Sequence, residues 1–152
     1  MIEIQHQNES FPELDVAVLE KAARMALEEQ SVEEDVDVTI LLSDDEEIQA
    51  LNRDYRGYDK PTDVLSFEAH EPNPETGVLY LGDIIISLER AAEQAERGGH
   101  PLLAEVQLLV VHGVLHLLGH DHAEAEEKAK MWQHQAEILG RLGLSNLKIQ
   151  EE

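Results

Sequence analysis

Three histidines, at positions 112, 116 and 122, set the chemistry open to this sequence. They lie in His112-Gly113-Val114-Leu115-His116-Leu117-Leu118-Gly119-His120-Asp121-His122, an H-x-x-x-H-x-x-G-x-x-H pattern. Residues four apart on a helix have Cβ atoms about 5–6 Å apart. His112 and His116 therefore converge on one ion at a metal–nitrogen distance of about 2.1 Å. Gly119 permits a left-handed turn that brings His122 back. Three protein ligands leave a fourth tetrahedral position open, which separates catalytic from structural zinc. The hydrolytic zinc helix H-E-x-x-H carries its general base directly after the first histidine. Gly113 stands there instead, so ordinary peptide hydrolysis lacks its base. One Zn2+ per chain suits three imidazoles, although nickel, copper and iron accept the same ligands. Asp121 is the candidate partner for a ligand imidazole. His120 is expected to point away from His122. His6, His70, His100 and His134 lack partner spacing and read as surface or boundary residues, and Met131 reads as core.

The elements around this motif follow from periodicity. Residues 2–7 alternate apolar and polar as a short strand. Phe11-Pro12-Glu13 opens a helix that Leu14, Val18, Ala22, Met25 and Ala26 carry to about Glu29. Val36, Val38, Ile40 and Leu42 mark a half-buried strand. Ser43-Asp44-Asp45-Glu46 is a capping box for a helix through Ile48, Leu51 and Asn52. Residues 53–61 read as a polar loop, 62–69 as a strand, 71–77 as a turn and 78–87 as a strand with Gly82 a bulge or close-approach point. Ser87 caps a helix with Leu88, Ala91, Ala92 and Ala95 inside, stopped by Gly98-Gly99. Pro101 opens the metal helix and Gly119 closes it. A last helix spans about 123–142, with Met131, Ala136 and Leu139 facing in. The order β-α-β-α-β-β-α-α-α predicts one α+β domain over residues 1–152. It would hold a small mixed sheet of about four strands, about five helices and a zincin-like metal helix.

The chain has 33 acidic and 11 basic residues, a formal net charge of −22. That balance excludes a broad basic face for nucleic acid and gives no reason to expect DNA as a partner. Arg53, Arg56 and Lys60 form the clear local basic cluster. There are no cysteines, so neither a disulfide framework nor a thiolate metal site is expected. The sequence shows no apolar run of membrane length and no signal-peptide pattern at its start, so the expectation is a cytoplasmic protein with no membrane partner.

With these residues in view, the histidine motif with glycine in place of glutamate resembles that of the YbeY family of bacterial rRNA-maturation endoribonucleases. Three further stretches carry the likeness: Leu51-Asn52-Arg53-Asp54-Tyr55-Arg56-Gly57, Pro61-Thr62-Asp63-Val64-Leu65-Ser66-Phe67 and Leu81-Gly82-Asp83-Ile84-Ile85-Ile86-Ser87. Met131-Trp132 fits too. The likeness spans roughly residues 35 to 140. It departs at Glu68, where the family often has proline, and at His120, where tyrosine is common. The resemblance implies a single-strand-specific, metal-dependent endoribonuclease in 16S rRNA 3′-end maturation and ribosome quality control. It implies His112, His116 and His122 as zinc ligands and Arg56 as the catalytic arginine. Arg53 and Lys60 are the further candidate substrate contacts. An rRNA precursor and the small ribosomal subunit with its proteins are the implied partners. A guanidinium that forks onto two phosphate oxygens suits phosphodiester chemistry. The group that moves the proton is open: a metal hydroxide and the RNA 2′-hydroxyl both remain candidates. Competing readings are a zinc-dependent amide or ester hydrolase, and a non-catalytic ribosome-assembly factor whose metal holds the fold.

Overall fold

In the computed structural model, which describes residues 1–147, the nine elements follow the order read from the sequence. They are β1 (Ile2–His6), α1 (Val16–Glu29), β2 (Val36–Ser43), α2 (Asp45–Arg56), β3 (Val64–Pro72), β4 (Leu79–Ser87), α3 (Leu88–Gly98), α4 (Leu102–Leu117) and α5 (Ala125–Arg141). The strands form one mixed sheet in the order β1-β2-β4-β3. β1 and β4 both run parallel to β2, while β3 is antiparallel to β4 and forms one edge.

The sheet is covered on both faces. Val36, Val38, Ile40 and Leu42 of β2 join Ile84 and Ile86 of β4 in the main core. The opposite face carries a smaller cluster of Ile48 from α2, Leu65 from β3 and Ile85 from β4. α4 is apolar on nearly every side, so it lies at the centre of the main layer. It packs on α1, α3, α5, β3 and β4. A helix so enclosed is a rigid base for the histidines it carries. Among the described residues no single helix is long and apolar enough to cross a membrane.

Several boundaries depart from expectation for local reasons. α1 begins at Val16, not near Phe11, because Asp15 is the cap and accepts from the Ala17 amide. Residues before it are held in a turn, where the Ser10 amide donates to the Asn8 side chain at 3.1 Å. The buried face of α1 is Leu19, Ala22, Ala23, Ala26 and Leu27, so Val18 and Met25 fall on its flanks. The cap of α2 is Asp44, which accepts from Glu47 N at 2.8 Å, while the Ser43 hydroxyl donates to the Glu47 carboxylate. α2 also continues through the segment expected as loop and ends at Arg56, where Gly57 takes a left-handed φ of 79°. Thr62 and Asp63 precede β3 rather than belong to it. On α5 the inner positions are Met131, Gln135, Ile138 and Leu139, and Ala136 is exposed. Gly82 is a point of close approach, with register shifts in both flanking ladders. A Cβ there would lie 2.1 Å from the Phe67 carbonyl oxygen.

Candidate metal centre

The last turn of α4 and the turn after it bring the three histidines together. Gly119 N donates to His116 O and His120 N donates to Leu115 O, each at 3.0 Å, with Gly119 at φ 98°. These two bonds make a Schellman cap, which satisfies late carbonyls of the helix and reverses the chain. His70, at the bulge of β3, donates from Nε2 to the Leu117 carbonyl at 2.7 Å. The helix end is thus tied to the sheet edge. Across the reversal, the rings of His112, His116 and His122 lie 4.8, 5.5 and 5.1 Å apart between centroids. Their ligand nitrogens all lie within 4.8 Å of one another. A tetrahedral ion with bonds of about 2.1 Å needs nitrogens about 3.4 Å apart, so a small rotation of the rings closes the set.

The donor set suits a borderline divalent ion. Burial pushes the His112 and His116 imidazoles down to about 4, so both present neutral rings at pH 7. His112 Nδ1 is 2.9 Å from Gln135 Oε1, which can only accept. The proton is therefore on Nδ1, and Nε2 is the ring nitrogen left to coordinate a metal. Asp121 accepts from the His122 amide at 2.7 Å, and its charge favours protonation of His116. His120 turns away and donates to Gln30 Oε1 at 2.7 Å. A second group, Glu29, His134 and Glu137, also brings its ligand atoms within 4.8 Å. There His134 Nδ1 already donates to Glu29 at 2.8 Å.

Gly113 has a steric reason to be glycine. A Cβ at that position would lie 2.7 Å from Ile84 Cγ2. The position where metallopeptidases carry glutamate faces the sheet, and a side chain there would have to displace that of Ile84.

The histidines open into a cleft of about 380 Å³, within the usual range of ligand pockets. Arg56 and Lys60 line it, as does Asp121. Arg53 is not among its lining residues, and its Nε donates to Asp54 at 3.0 Å. Asn52 Nδ2 donates to Lys60 O at 2.9 Å and Asn52 O accepts from Tyr58 N at 3.2 Å, fixing the loop after α2 against the cleft. Glu68 is exposed and absent from the lining, so it adds no charge there.

Several residues at the cleft had no signal in local spacing. Lys128, Trp132 and Gln135 reach it from α5, four and then three residues apart. Asp63 and Glu105 contribute carboxyls that burial raises above their usual range. Asp63 accepts from Val64 N at 2.8 Å and from Gln94 Nε2 at 3.3 Å. Glu105, 1% exposed at its side chain, lies 2.6 Å from His100 Nε2. His100 is therefore a boundary residue whose ring meets a buried carboxyl.

A mixed sheet under a central helix that presents three neutral or exposed imidazoles to an open cleft defines an α+β protein with a zincin-like histidine site. The family model described as Endoribonuclease YbeY matches residues 1–143. A protein of Bacillus licheniformis named Endoribonuclease YbeY is 43% identical over 152 residues, covering 95% of this chain and 96% of that one. One of the same name from Pelotomaculum thermopropionicum is 47% identical over 131 residues, covering 84% and 86%. The solution structure of TM1509 from Thermotoga maritima superposes with a TM-score of 0.57 at 28% identity, covering 93% of this chain and 91% of that one. The chain belongs to the YbeY family.

Proposed function

We infer that this protein is a metal-dependent endoribonuclease that cuts single-stranded RNA in rRNA processing. The observation that carries the reading is the convergence of His112, His116 and His122 beside Arg56 in one cleft, in a chain whose relatives bear the name endoribonuclease. That name favours a nuclease over an amide or ester hydrolase and over a non-catalytic assembly factor. Gly113, packed on the Ile84 side chain, supplies no peptidase base.

His112, His116 and His122 would hold the metal, with zinc the best match to three imidazoles. When bound, such an ion supplies Lewis acidity toward a phosphoryl oxygen and activates water. The chain's own residues do the rest. Gln135 fixes the His112 tautomer. Arg56, at the end of α2, places a guanidinium that forks onto two phosphate oxygens and stabilises the charge that develops there. Lys60 adds a second cation on the same side chain cluster of the loop, and Asp121 orients His122 through its amide. Arg53, exposed beside Asp54, would contact a longer RNA outside the cleft. The proposed substrate is the 3′ end of the small-subunit rRNA precursor, met on the small ribosomal subunit in the cytoplasm.

The test is metal analysis together with cleavage of a defined 16S rRNA 3′ precursor. Wild type should carry about one zinc per chain and cut, His116→Ala should stay folded without cutting, and Arg56→Glu should keep its zinc and lose cleavage. A folded Arg56→Glu protein that still cuts removes the role given to Arg56. A His116→Ala protein that no longer melts cooperatively would return the site to a structural one.

A further inference from the structure

An enzyme of net charge −22 needs a source of RNA affinity other than its overall field. Phosphate neutralisation by Lys and Arg supplies most of the binding in ordinary nucleic-acid proteins. Here Arg56, Lys60 and Lys128 are the cations that line the cleft. The same lining contains two aromatic rings, each with one of those cations over it. Lys60 Nζ lies 5.7 Å from the centroid of the Tyr58 ring, and Lys128 Nζ lies 5.6 Å from that of Trp132. α2 packs on α3, β3 and β4, whereas α5 packs on α1 and α4, so the pairs reach the cleft from separate parts of the fold. Tyr58 is 59% exposed, although most large apolar side chains in this chain are buried. Its loop is nonetheless fixed by Asn52, through bonds to Tyr58 N and Lys60 O. Trp132 leans on the main core and lies 5.6 and 5.8 Å from the rings of His112 and His122, centroid to centroid. A base held there would sit directly beside the histidines.

We propose that Trp132 and Tyr58 are base-stacking platforms that hold single-stranded RNA in the cleft, with Lys128 and Lys60 swinging off the ring faces they cover to meet the adjoining phosphates. Stacking on an aromatic ring tolerates any base and needs an unpaired one. A duplex hides those faces, so the same two rings select single strands. The inference rests on the endoribonuclease reading and adds to it the residues that provide affinity and strand selection.

Trp132 is the sole tryptophan of the chain, so its fluorescence reports on the platform directly. Zinc-loaded protein is mixed rapidly with single-stranded RNA ten-mers, and emission is followed ahead of cleavage. The controls are an abasic strand of equal charge and a duplex. Single strands should quench Trp132, while the abasic strand and the duplex should not. Tyr58→Ala and Trp132→Leu should each weaken binding of an intact strand roughly tenfold, the scale of one lost stacking contact, with binding of these variants followed by anisotropy of a labelled strand. Leucine keeps the apolar contact of Trp132 with the core, and melting and zinc content verify that both variants are intact. Quenching by the abasic strand equal to that by RNA, or wild-type affinity in both variants, overturns the proposal and leaves the nuclease reading standing. Failure of zinc-loaded protein to bind or cut any RNA removes that reading and this inference together.

Discussion

Gln135 is fully buried in a helix face that otherwise holds Met131, Ile138 and Leu139. A polar side chain in that stripe is costly unless bonded, and its bond is to His112 Nδ1. Gln135→Leu should therefore lower zinc affinity about 10- to 100-fold, the usual effect of losing an outer hydrogen bond to a ligand. Gln135→Glu, which keeps an acceptor and strengthens it, should bind zinc at least as well as wild type. Competition with a chromogenic chelator measures both, and equal affinity in all three proteins would show that His112 needs no such partner. The grouping of His112, His116 and His122 was legible because their spacing is local: one helix turn, a glycine and a return. Gln135, Lys128 and Glu105 were not, and Trp132 and Asp63 entered only as members of stretches that carry the family likeness, with no place at the cleft. They meet the histidines only after α5, β3 and the start of α4 have packed, and no short pattern in the chain records that meeting.

The elements themselves were read from periodicity, and their ends were decided by side chains that periodicity ignores. Asp15 and Asp44 displaced two helix starts by capping amides further along. α2 ran on because the charges of Arg53, Asp54 and Arg56 lie on its exposed face, where they suit a helix as well as a loop. The contact of α4 with β4 depends on Gly113, whose missing Cβ lets Ile84 approach. Gly113→Ala should cost about 1–3 kcal/mol in denaturant unfolding, as overpacked cores do. Ile84→Ala in the same chain removes the clash, so the double variant should be more stable than the two single losses added together. Simple additivity would mean that the helix shifts freely.

Asp63 makes a second test between elements, because it joins the start of β3 to Gln94 of α3. Burial raises its carboxyl above the ordinary 3.8. The folded state then keeps a proton that the unfolded chain has already released. The associated stability is complete below the unfolded value and is lost as pH rises through the folded one. Asp63→Asn removes that loss. Its amide oxygen can still accept from Val64 N, and its NH2 can donate to Gln94 Oε1, a buried atom without a partner. The variant should be at least as stable as wild type at pH 7 and lose its advantage toward pH 4. Melting curves across that range check the sign, and a variant less stable at pH 7 than at pH 4, relative to wild type, contradicts it. Glu105 is raised in the same direction by burial, so part of the slope should persist in Asp63→Asn.

At the scale of the whole molecule, 33 acidic groups against 11 basic ones make the surface repel both itself and RNA. Exposed ion pairs such as Arg24 with Glu20 and Arg53 with Asp54 contribute little. Salt therefore acts mainly by screening repulsion, over a Debye length of about 10 Å at 0.1 M and shorter above it. Two consequences run against habit. Melting temperature should rise between 10 and 300 mM NaCl rather than fall. Association with single-stranded RNA should depend weakly on salt, because few counterions are released when about three cations meet phosphates and stacking on Trp132 and Tyr58 is indifferent to screening. Screening of the long-range repulsion also speeds encounter, which opposes the small loss at the cleft. A plot of log affinity against log salt should therefore have a slope shallower than the about −2 that three single-strand contacts alone would give. A steep negative slope would place many more phosphates on the protein than its cleft cations can meet, and would move the RNA path away from Trp132 and Tyr58.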